Sequence, residues 1–221
     1  FTFIVNDSEL TSLPGISVEE AEVSSSLLKQ KFKGTLLITH QGLSGPAVLK
    51  LSAFGAIVFH QCNYQFTLGI NWAGGMGQEA IRTMLTELKQ ANEKKLAANA
   101  KPGIFPQRLW NYFLLKCGIW EEQRWADTGN KQLNKLTELL CRQDIKIIGK
   151  NTFKEEFVTA GGINLKEVDF KSMECKKVPG LYVAGELLNI DGVTGGFNFQ
   201  SAWTTSWIAA QHMADSFTMS A

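Results

Sequence analysis

The stretch from Pro179 to Gln211, PGLYVAGELLNIDGVTGGFNFQSAWTTSWIAAQ, constrains this chain more than any other. A Pro-Gly turn signal precedes a short apolar run, Leu181 to Ala184, of the length expected for a buried strand. Gly185 and Glu186 end that run, and a loop from Asn189 to Thr194 is closed by the pair Gly195-Gly196. From Asn198 onward Phe199, Ala202, Trp203, Ser206, Trp207, Ala209 and Ala210 recur at helical spacing. A strand, a glycine-rich turn and a helix in that order aim backbone N–H groups and a helix dipole at an electron-rich ligand group. A glycine pair before a helix also serves as a plain tight turn needing positive φ, and the residues by themselves leave both readings open.

The 221 residues are enough for one large domain or two to three small ones. With 44% apolar residues and a net charge of +1, the composition is that of an ordinary soluble protein, with no global field to recruit nucleic acid or an anionic membrane. The longest apolar run, Ala53 to Phe59, is too short to span a bilayer. The chain begins with Phe1 rather than Met, so it reads as a piece of a longer protein, and the lack of a targeting signal carries little information. Cys62, Cys117, Cys141 and Cys175 are widely spaced, with no C-x-x-C pair and no His partner at ligand spacing. We therefore expect no metal site, a reducing compartment and, by default, the cytoplasm.

Along the chain, Phe1 to Val5, the segment holding Ile16, Val18 and Val23 after the Pro14-Gly15 turn, and Thr35 to Thr39 predict a small, largely antiparallel sheet or barrel. A charged, hairpin-like stretch, Lys29 to Lys33, lies between the last two. Ser44-Gly45-Pro46 predicts a helix start, with Ser44 as N-cap, Pro46 in the first turn and Ala47, Val48, Leu51 and Phe54 inward. Tyr64 to Ile70 alternates as a strand. Three amphipathic helices follow. The first carries Ile81, Leu85 and Leu88, leads into the solvated run Asn92 to Lys95, and is broken at Pro102-Gly103. The second opens at Pro106 with Leu109, Tyr112, Phe113 and Leu115 inward, and the third carries Leu133, Leu136, Leu139 and Leu140. Strand character returns at Asp144 to Gly149 and Phe153 to Thr159, followed by a second glycine pair, Gly161-Gly162.

Taken together, GLYVAGE, IDG, TGGFNFQ and the AW-containing helix closely resemble the C-terminal segment of the bacterial HI0933-like (YhiN/BaiN-type) FAD-dependent flavoproteins. The block GTLLITHQGLSGPAVLKLS at Gly34 to Ser52 resembles that family's T-H-x-G-x-S-G-P segment. FVTAGGINLKEVDFKSMECK at Phe157 to Lys176 resembles its T-x-G-G-V…T-M-E-S-K segment. The resemblance covers nearly the whole chain, but the G-x-G-x-x-G fingerprint of a dinucleotide fold is nowhere in it. It implies an α+β fold: a small antiparallel β-sheet or barrel domain (1–75 and 144–160), an inserted three-helix subdomain (76–143), and the C-terminal strand-loop-helix of a Rossmann-like FAD-binding domain (161–221).

The same resemblance implies the function. The chain would be part of an FAD-dependent oxidoreductase, a reductase driven by NAD(P)H, acting on a small-molecule substrate and completed by an N-terminal dinucleotide-binding half of the same protein. Neither nucleic acid nor membrane is an expected partner. Gly195, Gly196, Phe197 and Asn198 would bring main-chain N–H groups to the pyrimidine edge of the flavin. Asp191 would approach the ribityl or phosphate part, Gly185 and Glu186 would sit at the carboxyl end of the strand, and Gly161 and Gly162 would let the backbone approach from the other side. Gln200 completes the cofactor-binding set, and His40 is the candidate catalytic acid.

Plainer roles stand beside these. Asp191 also reads as a turn cap, Glu186 as a solvated loop acid, Asn198 and Gln200 as helix-start polar groups, His40 as a hydrogen-bonded structural residue, and Trp203 and Trp207 as core rather than flavin stackers. Asn189 departs from the family pattern, which has Asp there. Without the Rossmann half the isolated chain is expected to be inactive and to hold FAD weakly. Two other functions compete: a non-catalytic binding module derived from a flavoprotein, and a tRNA-modifying flavoprotein. Against the latter, Lys94, Lys95, Lys101, Arg108 and Lys116 are more simply a solvated helix surface.

Overall fold

A computed structural model describes residues 2–151, 158–193 and 195–219, with side chains as far as residue 216. The chain divides into two compact units, Phe1–Thr152 and Phe153–Ala221. Most of the strand expected over 153–159 lies outside the described residues, as does Thr194; residues 158 and 159 have no regular structure.

The first unit begins with β1 (Phe3–Val5), a single helical turn α1 (Ser8–Thr11) capped by Asp7, and the hairpin β2 (Ser17–Ser25) and β3 (Lys31–Ile38). Next come β4 (Gly42–Ser44), α2 (Pro46–Phe54), α3 (Ala56–Gln61) and β5 (Phe66–Asn71). The helices α4 (Gln78–Ala91), α5 (Gln107–Lys116) and α6 (Asn130–Cys141) precede the last strand, β6 (Gln143–Lys150). The strands close into an antiparallel barrel in the order β1-β4-β3-β2-β5-β6, with β6 returning to β1 at Ile4 opposite Gly149. Period-two alternation in β3, β5 and β6 puts Leu36, Ile38, Leu68, Ile70, Ile145 and Ile147 inside. Phe3, Phe59 and Phe66 fill one region of this core, with Phe59 stacked on Phe66 at 4.1 Å.

The start of α2 differs from the expectation. Ser44 ends β4, and the N-cap is Gly45, at φ +97° and without a side-chain cap; Pro46 takes the first helical position. A Cβ on Gly45 would lie 2.6 Å from the Thr35 carbonyl oxygen, so this glycine is required for both its conformation and its close approach to β3. Phe54 is exposed rather than inward, although its ring lies 5.0 Å from Phe32.

Two tryptophans, Trp110 on α5 and Trp125 in the loop before α6, are buried in this helical region. Trp110 Nε1 donates to the Ala97 carbonyl at 2.9 Å and Trp125 Nε1 to that of Ala100 at 3.0 Å, so the loops between helices are satisfied by core side chains. α4 ends at Ala91, before Pro102-Gly103, because the backbone turns at Asn92. Leu115 points outward while Leu114 takes the buried place, a one-residue phase error in reading α5. A polar chain joins helix to barrel: Trp72 Nε1 donates to Gln143 Oε1 (2.8 Å), Gln143 Nε2 donates to Tyr112 Oη (2.5 Å), and Tyr112 donates to Asp7 Oδ2 (3.2 Å). Burial, reinforced by the carboxylates of Asp7 and Glu9 and opposed by the Gln143 hydrogen bond, raises the Tyr112 phenol well above its ordinary range.

The second unit is smaller. The two-residue strands β7 (Val168–Asp169) and β8 (Glu174–Cys175) pair antiparallel, and a long helix, α7 (Phe197–Met219), lies beside them. Among the described residues of this unit, Val168, Met173, Val183, Leu188 and Ala209 form the buried apolar cluster. Residues 181–184 form no ladder strand: Tyr182 makes a single bridge to Glu174, Leu181 is exposed, and 185–187 turn into a 3-10 helix. No helix among the described residues is long and apolar enough to cross a membrane.

Candidate functional site

Of the second unit's predicted site glycines, Gly195 and Gly196 stand at the start of α7, Gly185 meets the helix farther along at Thr205, Gly162 lies by the 187–189 backbone and Gly161 lies in the open. Gly195 at φ +138° and Gly196 at φ +86° turn the chain into the helix, whose first interior bond runs from the Gln200 N–H to the Gly196 carbonyl at 3.0 Å. The N–H groups of a helix's first turn have no intrahelical partner, and the described residues offer none to those of Gly196, Phe197 and Asn198. A Cβ placed on Gly196 would meet nothing within 4 Å, so the backbone there faces open space. Donors, dipole and room are what an electron-rich edge needs.

The loop before the helix is held in two places. Asn198 Oδ1 accepts from the Gly192 N–H at 2.7 Å, and Asn198 Nδ2 donates to the Gly192 carbonyl at 3.0 Å. Farther back, the Gly185 N–H donates to Thr205 Oγ1 at 3.0 Å, and that hydroxyl in turn donates to the Ser201 carbonyl one turn up α7. Gly185, at φ +68°, thus sits against the helix, while its neighbour Glu186 is exposed. Asp191 is half-buried beside Gly192.

Gly161 and Gly162 divide in role. A Cβ on Gly162 would lie 2.7 Å from the Leu187 carbonyl oxygen, because Ile163 N donates to Leu187 O (2.8 Å) and Asn189 N donates to Ile163 O (3.1 Å). The bare face of Gly162 is therefore filled by the 187–189 backbone. Gly161, at φ +108°, has nothing within 4 Å of such a Cβ and remains open. Gln200 Nε2 donates to Thr204 Oγ1 at 3.0 Å along the outer side of α7.

Trp203 and Trp207 are not core. They are 74% and 66% exposed, and with Phe199 at 74% they form a stripe at i, i+4, i+8 on one side of α7. The buried side of the helix is instead Thr205 and Ala209, with Ile208 and Met213 packed nearby, because so small a core has room for only a narrow stripe. Gln200, Trp203, Thr204 and Trp207 line a shallow depression of about 250 Å³. A larger one, about 550 Å³, lies in the first unit between α4 and α6 and is lined by Gln78, Glu79, Arg82, Thr83, Asn134 and Thr137, with none of the expected site residues among them.

His40 belongs to the first unit, at the exposed tip of the turn from β3 to β4. That turn is held by its neighbours: Thr39 Oγ1 accepts from the Gly42 N–H at 3.1 Å and the Gln41 carbonyl accepts from the Val5 N–H. Sequence reasoning missed the parts played by Gly192 and Thr205. The signal for Thr205 was a small polar residue in phase with Ala202 and Ala209 on the helix's buried side.

The family described as HI0933-like protein barrel and H2TH domain matches residues 1–158. The ribosomal RNA dihydrouridine synthase of Haemophilus influenzae is 28% identical over 210 residues, 95% of this chain and 49% of that protein. The ribosomal RNA dihydrouridine synthase of Escherichia coli is 32% identical over 213 residues, covering 93% and 48%. The 3-dehydro-bile acid delta(4,6)-reductase of Clostridium scindens is 28% identical over 203 residues, covering 89% and 48%. The chain spans about half the length of the curated relatives it matches.

Proposed function

This chain belongs to the HI0933-like family, and on that premise we propose that it is the barrel and flavin-edge part of an FAD-dependent oxidoreductase that saturates a carbon–carbon double bond conjugated to a carbonyl, with NAD(P)H as reductant. The relatives' names support the reaction class. Dihydrouridine is uridine whose ring double bond, conjugated to a carbonyl, has been saturated, and a 3-dehydro delta(4,6)-reductase acts on double bonds conjugated to a ketone. One transformation, hydride addition to an electron-poor alkene followed by protonation, covers both.

The open, donor-rich start of α7 carries the proposal, because it fits the electron-rich pyrimidine edge of a flavin. Gly195, Gly196, Phe197 and Asn198 would present main-chain N–H groups to that edge, Asp191 would face the ribityl or phosphate part, and Gly161 would keep backbone close without a side chain in the way. When bound, FAD supplies the hydride chemistry. The residues of this chain bind and orient the cofactor and, through the helix dipole, stabilise negative charge at that edge. His40 is the proposed proton donor to the substrate carbon. The rest of the FAD site is assigned to the half of the relatives' length that this chain does not span.

For the substrate, uracil in RNA is the better supported reading. Two relatives bear that activity in their names, and charge is unevenly placed: residues 76–143 hold eleven Lys and Arg against seven Asp and Glu, while the rest of the chain holds eleven against fourteen. A small-molecule enone is the second reading, supported by the Clostridium relative and by the near-neutral overall charge.

The deciding experiment uses the native-length protein. Its visible absorption spectrum, before and after heat release, should show a flavin identified as FAD. Incubation with NADPH and uridine-containing RNA should then yield dihydrouridine by nucleoside mass spectrometry. A flavin protein inactive on RNA but active on a steroid enone moves the substrate to the second reading. A colourless protein that refuses added FAD removes the enzyme reading and leaves a binding scaffold.

A further inference from the structure

We infer that Asn198 is a positioning residue: its side chain clamps residues 190–192 to the first turn of α7, rather than reaching a ligand itself. The inference rests on the flavin-edge reading above. The amide of Asn198 accepts the Gly192 N–H at 2.7 Å and donates to the Gly192 carbonyl at 3.0 Å, engaging both backbone groups of a single residue. Only one assignment of the amide satisfies this pair, with oxygen toward the N–H and nitrogen toward the carbonyl.

Gly192 is the other half of the device. A Cβ there would lie 3.2 Å from Asn198 Oδ1 and 3.2 Å from Phe197 Cβ, tighter than ordinary packing allows. Its φ is not among the positive ones, so the missing side chain serves close approach rather than backbone conformation. Between the clamped ends run Gly195 and Gly196, two residues with high backbone freedom that would otherwise leave the loop loosely defined. Asp191 immediately precedes the clamped glycine, so the clamp fixes where its carboxylate stands relative to the first-turn N–H groups of α7. Aspartate cannot replace Asn198 in this role. A carboxylate would still accept the Gly192 N–H but would set an oxygen against the Gly192 carbonyl.

The test uses the native-length protein and the variants Asn198→Ala, Asn198→Asp, Gly192→Ala, Asp191→Ala and the double variant Asn198→Ala/Asp191→Ala. Without FAD, amide exchange of the peptide containing Gly192 should be about tenfold faster in Asn198→Ala, Asn198→Asp and Gly192→Ala, with the circular dichroism of the fold unchanged. FAD affinity, measured by quenching of flavin fluorescence, should fall about tenfold in Asn198→Ala, and removing Asp191 in addition should cost little more, because both act through one loop position. Unchanged exchange in all three clamp variants overturns the inference. Affinity losses that simply add overturn it as well, since they mean that Asn198 reaches the flavin directly. A parent protein that takes no FAD, while Asn198→Ala still speeds exchange, overturns the flavin-edge reading and leaves the clamp supported.

Discussion

The two units solve the same packing problem with opposite results. In the first, three tryptophans and four phenylalanines among the described residues are essentially fully buried, and the indole nitrogens of Trp72, Trp110 and Trp125 each have a partner. In the second, five apolar residues make the buried set among the described residues, and Phe199, Trp203 and Trp207 of α7 lie in the open. These exposed aromatics at i, i+4, i+8 leave one side of α7 uncovered by the described residues. The difference teaches that the first unit is organised around its own core. The second is organised around positioning: glycines, a clamp and a hydroxyl tie set a loop against a helix start.

The largest expected effect separates the units directly. Trp125→Ala should destabilise the chain by about 3–5 kcal/mol, through the cavity and the orphaned Ala100 carbonyl. Trp203→Ala should stay within about 0.5 kcal/mol, as an exposed substitution does. Urea unfolding of both variants decides it. Similar losses would mean that the stripe on α7 is core after all, and the comparison would fail.

Glycines give the next largest contrast. Gly45→Ala places a Cβ 2.6 Å from the Thr35 carbonyl at φ +97° and should cost about 2–3 kcal/mol of stability. Gly196→Val meets nothing within 4 Å and bears only the strain of φ +86°, about 1–2 kcal/mol locally. It should leave the native-length protein folded while weakening FAD retention. Thermal melts paired with flavin occupancy test both; full occupancy in Gly196→Val would remove the flavin-edge assignment.

How much of this was legible in the sequence follows from where the determining contacts lie. Alternation and i, i+4, i+7 spacing act locally, so most barrel strands and the inward faces of α4 and α6 could be read from Leu36, Ile70, Ile81 and Leu133. The three-residue β4, ending at Ser44, was too short to show a period. Residues 181–184 look like a buried strand because their apolar run is local, but a ladder needs a neighbour that stays alongside, and here the pairing stops at one bridge, Tyr182 opposite Glu174. Trp203 and Trp207 read as core because residue type and period point inward. Burial depends on how much core the unit has, which no window on α7 reveals. The clamp hid for a similar reason. Gly192 lay unremarked in the 189–194 loop and Asn198 read as a helix-start polar group, and only their pairing across the glycine turn assigns both.

The smaller effects test the first unit from within. Tyr112→Phe keeps the ring but leaves Asp7 and Gln143 without the hydroxyl, and should cost about 1–3 kcal/mol. The alkaline limb of stability is finer still. Burial pushes the Cys117 thiol up from 9.0 to about 12, with Lys135 opposing and Glu138 reinforcing the shift. The unfolded thiol therefore ionises first. This contribution to stability is complete below pH 9 and declines as pH rises from 9 towards 12, by at most about 1.4 kcal/mol per unit. Tyr112, also raised, adds to the decline above pH 10. Urea unfolding under reducing conditions at pH 8, 9.5 and 10.5 should show a shallower fall in Cys117→Ala than in the parent. At pH 8 a thiol reagent should modify the half-buried Cys175 of the second unit well before the 3% exposed Cys117. Equal slopes would show that burial does not hold the Cys117 thiol up, and Cys117 reacting as fast as Cys175 would show that the first unit opens as readily as the second and would erase the distinction between them.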